Sequence, residues 1–471
     1  MAIFSGPLVA GTMIHPASMV SVDLKANGYL ELEYLASGTA RGFEVSGNSG
    51  GAAGGAAGES AGSSDGLAAL SDGHWASSVS SDTAAFRTRI VVRRPADADR
   101  FSGIVLVEWM NVTSAFEADP DWCFLHEEIM RAGHAYVAVS AQAIGVNGGA
   151  SLLSPEGPHA AGLRADNPAR YGALVHPGDR YSFDLFRQVG EALKHPSPDR
   201  PAVLGGLRPQ VVLALGESQS AYYLTSYINA VQPLAPVYDG FLVHSRGAGA
   251  AALSGVPIDP PNDTVPVRIR TDGDAPVIVL VAEGDLIRPL SFWRARQPDS
   301  DKIRIWEMAG TSHADSYLIG PAVMLLGCDW RINEGPHRYV AQAALRALVR
   351  WCVSRTPPPS ATSIKLESER PATIARDQAG IAAGGVRTPV VDVPVVALSG
   401  EGPPGTAARM GWLVGSTTPL APEFLLARYG DRAGYLRAFT ESLDEAISEG
   451  FLLPEHRRPL LAEAQAFAFP S

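Results

Sequence analysis

VVLALGESQSAYYLTSYI, Val211 to Ile228, joins three patterns in one stretch. The apolar run Val211–Leu215 reads as a strand buried on both faces. It meets Gly216-Glu217-Ser218-Gln219-Ser220 and passes directly into a helical pattern from Ala221. Strand, sharp turn and helix in this order are the context of a nucleophile elbow, with a serine at the tip of the bend. The backbone there occupies a sparsely populated φ/ψ region, and strand and helix approach closely, so the flanking residues must be small. The usual spacing is G-x-S-x-G. Ser220 replaces the last glycine and is small enough to fit. A structural serine turn is the competing reading of these residues alone.

The flanking sequence repeats the strand–helix alternation. Strands are expected at Arg87–Pro95, Gly103–Trp109, His134–Gln142, Tyr238–His244, Ala275–Ala282 and Lys302–Met308. Helices are expected at Asp121–Ala132, Tyr181–Leu193, Ala221–Val231 and Arg338–Ser354. Such alternation implies an α/β fold with a mostly parallel central sheet and right-handed crossovers. Before it, MVSVDL and YLELEYL flank Asn27-Gly28, which predicts an N-terminal β-hairpin. The Gly/Ala/Ser-rich stretch from Ser46 to about Ser81 reads as a flexible surface insertion, because it offers little apolar area to offset its ordering entropy. Residues 145–179, rich in Gly, Pro and Ala, read as a lid-like or binding loop. After the Pro-rich RTPPPSA the chain runs extended and then forms amphipathic helices near Glu423–Ala446 and Pro454–Phe467. The expected organisation is therefore an N-terminal part (1–86), an α/β core (87–355) and a C-terminal extension packing on the core (356–471).

Composition narrows the class. The chain has 471 residues, 46% of them hydrophobic, and a formal net charge of -11. That acidic balance argues against a protein whose main task is gripping nucleic acid. The three cysteines, Cys123, Cys328 and Cys352, are widely spaced with no CxxC, which excludes an obligatory disulfide framework and disfavours a thiolate zinc site. The eleven histidines include no HxxxH or HExxH pair. The N-terminus lacks a basic n-region and no stretch is long and apolar enough to span a bilayer, so a cytoplasmic protein away from membranes is expected. Arg246–Ala252 can be written as a dinucleotide fingerprint, but LSGVPIDPPNDTVP breaks the helix that should follow.

A serine hydroxyl needs a base to take its proton and an acid to orient that base. Both follow in the chain. PVIVLVA runs into Glu283-Gly284-Asp285, and IRIWEM is followed by Ala309-Gly310-Thr311-Ser312-His313. The order serine, acid, histidine is that of the α/β-hydrolases. Either Glu283 or Asp285 can serve as the acid. Asp315 is too close to His313 and reads as a loop or capping residue. His244 reads as a core or rim histidine.

The chain resembles α/β-hydrolase-fold serine esterases, and in particular the bacterial "alpha/beta hydrolase domain" family. The similar blocks are TRIVVRRPAD, VLVEWMNVTS, AYVAVSAQAIGV, GESQSA, ARQPDSDKIRIWEMAGTSHAD and GGVRTPVVDVP, between Arg87 and Pro394. The resemblance implies an α/β-hydrolase fold with Ser218 as nucleophile, His313 as general base and Asp285 as orienting acid. Gln219 would supply one oxyanion-hole N–H, and the second would come from Met110-Asn111-Val112, with Asn111 preferred. The implied activity is hydrolysis of a small or medium-sized carboxylic ester through an acyl-enzyme, without metal or organic cofactor. The expected partner is the small-molecule ester, with room for a homo-oligomer. The alternatives are acyl transfer by the same triad and a non-catalytic binding protein on the same fold.

Overall fold

The computed structural model describes residues 1–17, 20–45, 71–196, 202–256, 265–406 and 410–470. Its centre is a nine-stranded sheet. The strands are β1 (Ile3–Ser5), β2 (Tyr29–Val45), β3 (Ser77–Pro95), β4 (Ile104–Trp109), β5 (Ala135–Val139), β6 (Val211–Glu217), β7 (Gly240–His244), β8 (Val277–Ala282) and β9 (Ile303–Met308). Their spatial order is β1-β2-β3-β5-β4-β6-β7-β8-β9. From β5 to β9 every neighbour pair is parallel, whereas β1, β2 and β3 join antiparallel at one edge.

The central strands are buried on both faces, which explains their unbroken apolar runs. In β4, Val105, Val107 and Trp109 enter one core layer while Ile104 and Leu106 enter the other. The first layer is closed by α2 (Ser182–Lys194) and α3 (Gln219–Ser226), through Phe183, Phe186 and Tyr223 around Trp109. The second is closed by α1 (Pro120–Ala132) and α4 (His337–Ser354). Past α4 the chain returns to the sheet edge. Val386 N–H donates to the Glu307 carbonyl beside β9, at 2.7 Å. Helices α5 (Pro422–Tyr429), α6 (Arg432–Glu449) and α7 (Arg457–Ala466) follow, and Tyr435, Phe439, Leu443 and Leu460 deepen the second layer. Gly430, at φ 77°, breaks the single helix expected over 423–446.

Two N-terminal expectations are corrected. The Asn27-Gly28 turn forms, with Gly28 at φ 73° and Tyr29 N–H donating to the Leu24 carbonyl at 2.8 Å, but residues 20–24 form no strand against YLELEYL. Val22 and Leu24 pack on the second core layer instead. The partner of β2 is β3, paired from Tyr29↔Pro95 to Val45↔Ser77 with a register shift between Arg41 and Phe43. Residues 46–70 of the expected insertion lie outside the described residues, and Ser77–Ser81 belong to β3 rather than to a loop.

Fully buried charges fasten this hairpin to the loops above the sheet. Arg89 on β3 pairs with Glu33 on β2 at 3.2 Å and also with Glu117. Glu33 further accepts from Arg170 Nε at 2.5 Å and from the Tyr171 hydroxyl at 2.8 Å. Residues 145–179 are thus anchored rather than free. The segment contains three short helical turns and bridges β3 at Val175.

Candidate active site

The bend between β6 and α3 places Ser218 at φ 58°, ψ -118°, a conformation that L-residues rarely adopt. Its N–H donates to the His244 carbonyl at 2.9 Å, tying the strained turn to the end of β7. A Cβ on Gly216 would meet Leu224 Cδ1 at 3.0 Å and Ser220 Cβ at 3.1 Å, so any larger residue would have to push the α3 side chains aside by a few tenths of an ångström. Ser220 fits fully buried inside α3.

The loop after β9 carries His313. Nε2 of His313 lies 2.7 Å from Ser218 Oγ, and Nδ1 lies 2.6 Å from Asp285 Oδ1. Asp285 stands on a 3₁₀ turn at the end of β8, and its Oδ2 accepts from Ala282 N–H at 2.8 Å. One oxygen therefore locks the carboxylate in place and the other faces the imidazole. Glu283 turns away: it accepts from Gly310 N–H at 2.7 Å and Gly400 N–H at 3.0 Å, and pairs with Arg376 at 2.9 Å. The two acids left open by the spacing are thus separated by geometry. Asp315 caps the next helical turn through Leu318 N–H.

One acidic group at the site escaped the sequence reading. Glu217, buried beside the serine, places Oε1 3.6 Å from His313 Nε2, and this oxygen has no hydrogen-bond partner. Burial pushes its pKa up to about 7, against the pull of His313 and His244. Burial also pulls the His313 imidazole down, but Asp285 and then Glu217 outweigh it and raise the pKa to about 9. An acid next to the serine was visible in GESQS. The direction of its side chain was not.

The turn after β4 faces the elbow. Asn111 Nδ2 donates to the Glu217 carbonyl at 3.1 Å, its Oδ1 accepts from Thr113 N–H at 2.8 Å, and its own N–H donates to Ala118 at 2.9 Å. The backbone N–H of Asn111 is therefore occupied, whereas its side-chain amide uses only one of its two N–H donors. Met110 N–H is also used, on Val139 at 3.2 Å. Val112 N–H meets only the Gln219 side-chain oxygen, at a long 3.3 Å. Gln219 N–H opens α3, where backbone donors have no partner in the preceding turn.

The C-terminal residues hold the histidine loop from outside. Ala314 N–H donates to Leu413 at 2.9 Å, and the Trp412 ring lies 6.3 Å from that of His313. Among the described residues no helix is long and apolar enough to cross a membrane.

No curated protein sequence matches the chain. Among solved structures, an α/β serine hydrolase without a lid from Xanthomonas campestris is 13% identical, covering 56% of this chain and 89% of its own, with a TM-score of 0.32. Fungal esterases from Rhizomucor miehei are represented at 12% identity, 57% and 81% coverage and a TM-score of 0.30. Superpositions this loose carry no argument about substrate. The family model described as "Alpha/beta hydrolase domain" matches residues 4–462, nearly the whole chain. With the elbow, the parallel sheet and that match in agreement, the chain belongs to the alpha/beta hydrolase domain family.

Proposed function

We propose that the protein is a serine esterase that cleaves small or medium-sized carboxylic esters through an acyl-enzyme. The observation that carries this reading is the unbroken chain from Ser218 Oγ through His313 to Asp285, at 2.7 and 2.6 Å. Ser218 Oγ attacks the ester carbonyl while His313 Nε2 takes its proton. Asp285 accepts Nδ1–H, which fixes the tautomer and stabilises the imidazolium. The negative oxygen is received by the N–H groups of Gln219 and Val112. The carbonyl displaces the weakly held Gln219 side chain from the latter, and Asn111 keeps the turn in place. His313 then protonates the leaving alkoxide, and water repeats the sequence on the acyl-enzyme.

An apolar rim supports an ester of modest size. Leu152 N–H and Ser151 Oγ both reach the Thr113 carbonyl, at 2.9 and 3.1 Å. This sets the exposed Leu152 and Leu153 beside the turn that carries Val112. The test is incubation with short-chain aryl esters and an organophosphonate. Turnover and a covalent adduct on Ser218 are expected. Neither appearing would return the fold to a binding role, and product partition toward added alcohol would favour acyl transfer.

A further inference from the structure

His313 sits midway along the seven-residue segment 310–316 that follows β9. One residue outside that segment holds both of its ends. Asn333 Nδ2 donates to the Gly310 carbonyl at 3.1 Å, and the Asn333 carbonyl accepts from Ser316 N–H at 2.9 Å. Asn333 lies in the stretch before α4 and is fully buried. Its second Nδ2 hydrogen goes to the Ser399 carbonyl at 3.0 Å, and its own N–H to the Val414 carbonyl at 2.9 Å. Ser399 and Val414 belong to the C-terminal extension, so the loop of the base is pinned to the extension through this one side chain and its backbone.

The chemistry of an amide suits the position. Two carbonyls face Nδ2, and the Gly335 N–H donates to Oδ1 at 2.8 Å, so the group fits only one way round. An aspartate there would turn an oxygen toward both carbonyls, and a leucine would leave three buried polar groups without partners. Asp285 fixes the rotation of the imidazole. Its distance from the nucleophile depends instead on where the two ends of its loop are held. Proton transfer spans 2.7 Å from Ser218 Oγ to His313 Nε2. A displacement of about 1 Å at such a step costs about 10²-fold in rate.

We propose that Asn333 is the positioning residue of the base: by holding both ends of the His313 loop against the C-terminal extension, it sets the reach of Nε2 to Ser218. Asn333 itself touches no reacting atom. The effect on rate rests on the esterase reading; the placement of the imidazole does not.

Two variants disturb this clamp from opposite sides. Asn333→Asp keeps the size and the acceptor for Gly335 but loses both donors. Gly335→Ala adds a Cβ that would lie 2.3 Å from the Gly310 carbonyl oxygen and 2.7 Å from Asn333 Oδ1. Asp431→Ala, which removes the side-chain acceptor for Gly434 N–H at the start of α6, is the control for lost stability alone. The readouts are kcat per phosphonate-titrated site on an aryl ester and the downfield proton resonance of His313 Nδ1–H. Both clamp variants should lose about ten-fold or more in kcat with KM within about two-fold, and the resonance should shift or broaden. Asp431→Ala should lower the urea midpoint and leave kcat and the resonance as in the parent. Asn333→Asp decides where it folds, and Gly335→Ala where it does not. A deciding variant with the parent's kcat and resonance overturns the proposal, and so does failure of both to fold, which would assign Asn333 to the fold as a whole. An unaltered protein that hydrolyses no ester sinks the esterase reading, and the resonance still decides the clamp.

Discussion

Oε1 of Glu217 lies 3.6 Å from Nε2 of His313, the nitrogen that also meets the Ser218 hydroxyl at 2.7 Å. A second carboxyl group therefore stands on the working side of the base, opposite the nitrogen held by Asp285. It favours the protonated imidazole, and a protonated imidazole cannot accept the serine proton.

The first prediction concerns pH. His313 is raised to about 9, with Asp285 and Glu217 overcoming burial, so kcat/KM should climb as pH rises toward that value. Burial holds the Glu217 pKa up at about 7, so Glu217 is mainly a carboxylate only in the upper part of this climb. Glu217→Gln removes one negative neighbour and should move the acidic limb down by about one unit. A pH–rate profile on an aryl ester measures it, and an unmoved limb means the two side chains do not interact electrostatically.

The two acids near the triad should fail differently. Ser218→Ala should abolish turnover and leave the melting temperature near that of the parent. Asp285→Asn should cost about 10⁴-fold in kcat, because the amide favours the wrong tautomer. Glu283→Gln loses its ion pair with Arg376 and weakens its contacts to Gly310 and Gly400. It should cost about 1–3 kcal/mol of stability while kcat per folded molecule holds. Denaturant midpoints and site-normalised rates separate these outcomes; a large kcat loss in Glu283→Gln would reverse the assignment.

The elbow, the acid–histidine order and the central strands could all be read from sequence because each depends on local pattern. VVLALG is apolar at every position since both faces of β6 are covered, and the turn needs small residues where it is tightest. What escaped is non-local. The true partner of β2 lies beyond a Gly/Ala/Ser-rich stretch, so a good turn at Asn27-Gly28 pointed to the wrong strand. Gly400 reaches Glu283 through a backbone N–H, a contact with no sequence signature. The side chain of Glu217 points at His313 because of the bend itself, which residue type alone does not reveal.

The oxyanion donors give a third prediction. If Val112 N–H receives the negative oxygen, Val112→Pro removes the donor and should cost about 10²–10³-fold in kcat. Gln219→Ala keeps its own N–H and uncovers that of Val112, so kcat should change less than about three-fold. Asn111→Ala loosens the turn and should fall between them. Rates of phosphonate labelling, alongside melting curves to confirm folding, make the comparison. A loss in Asn111→Ala as large as in Val112→Pro would return the donor role to the asparagine.

The last prediction joins stability to the site. Arg89 is fully buried between Glu33 and Glu117, and Glu33 also takes Arg170 and Tyr171 from the 145–179 segment. Removing the guanidinium leaves Glu117 buried without its cation and Glu33 with only one. Breaking a buried pair in this way costs about 3–5 kcal/mol, whereas the intact pair contributes little net stability. Arg89→Met should therefore lower the urea midpoint strongly at an unchanged m-value. Glu117 ends the excursion that begins at Asn111, and Ala118 returns to the Asn111 N–H. Freed from Arg89, this excursion should let Val112 drift, so kcat should drop even where the protein is fully folded. Arg89→Met with Glu117→Leu removes one carboxylate with the cation and leaves Glu33 its contacts to Arg170 and Tyr171. It should recover part of the stability without recovering the rate, because no unpaired carboxylate is then buried at position 117 but the turn is still untethered.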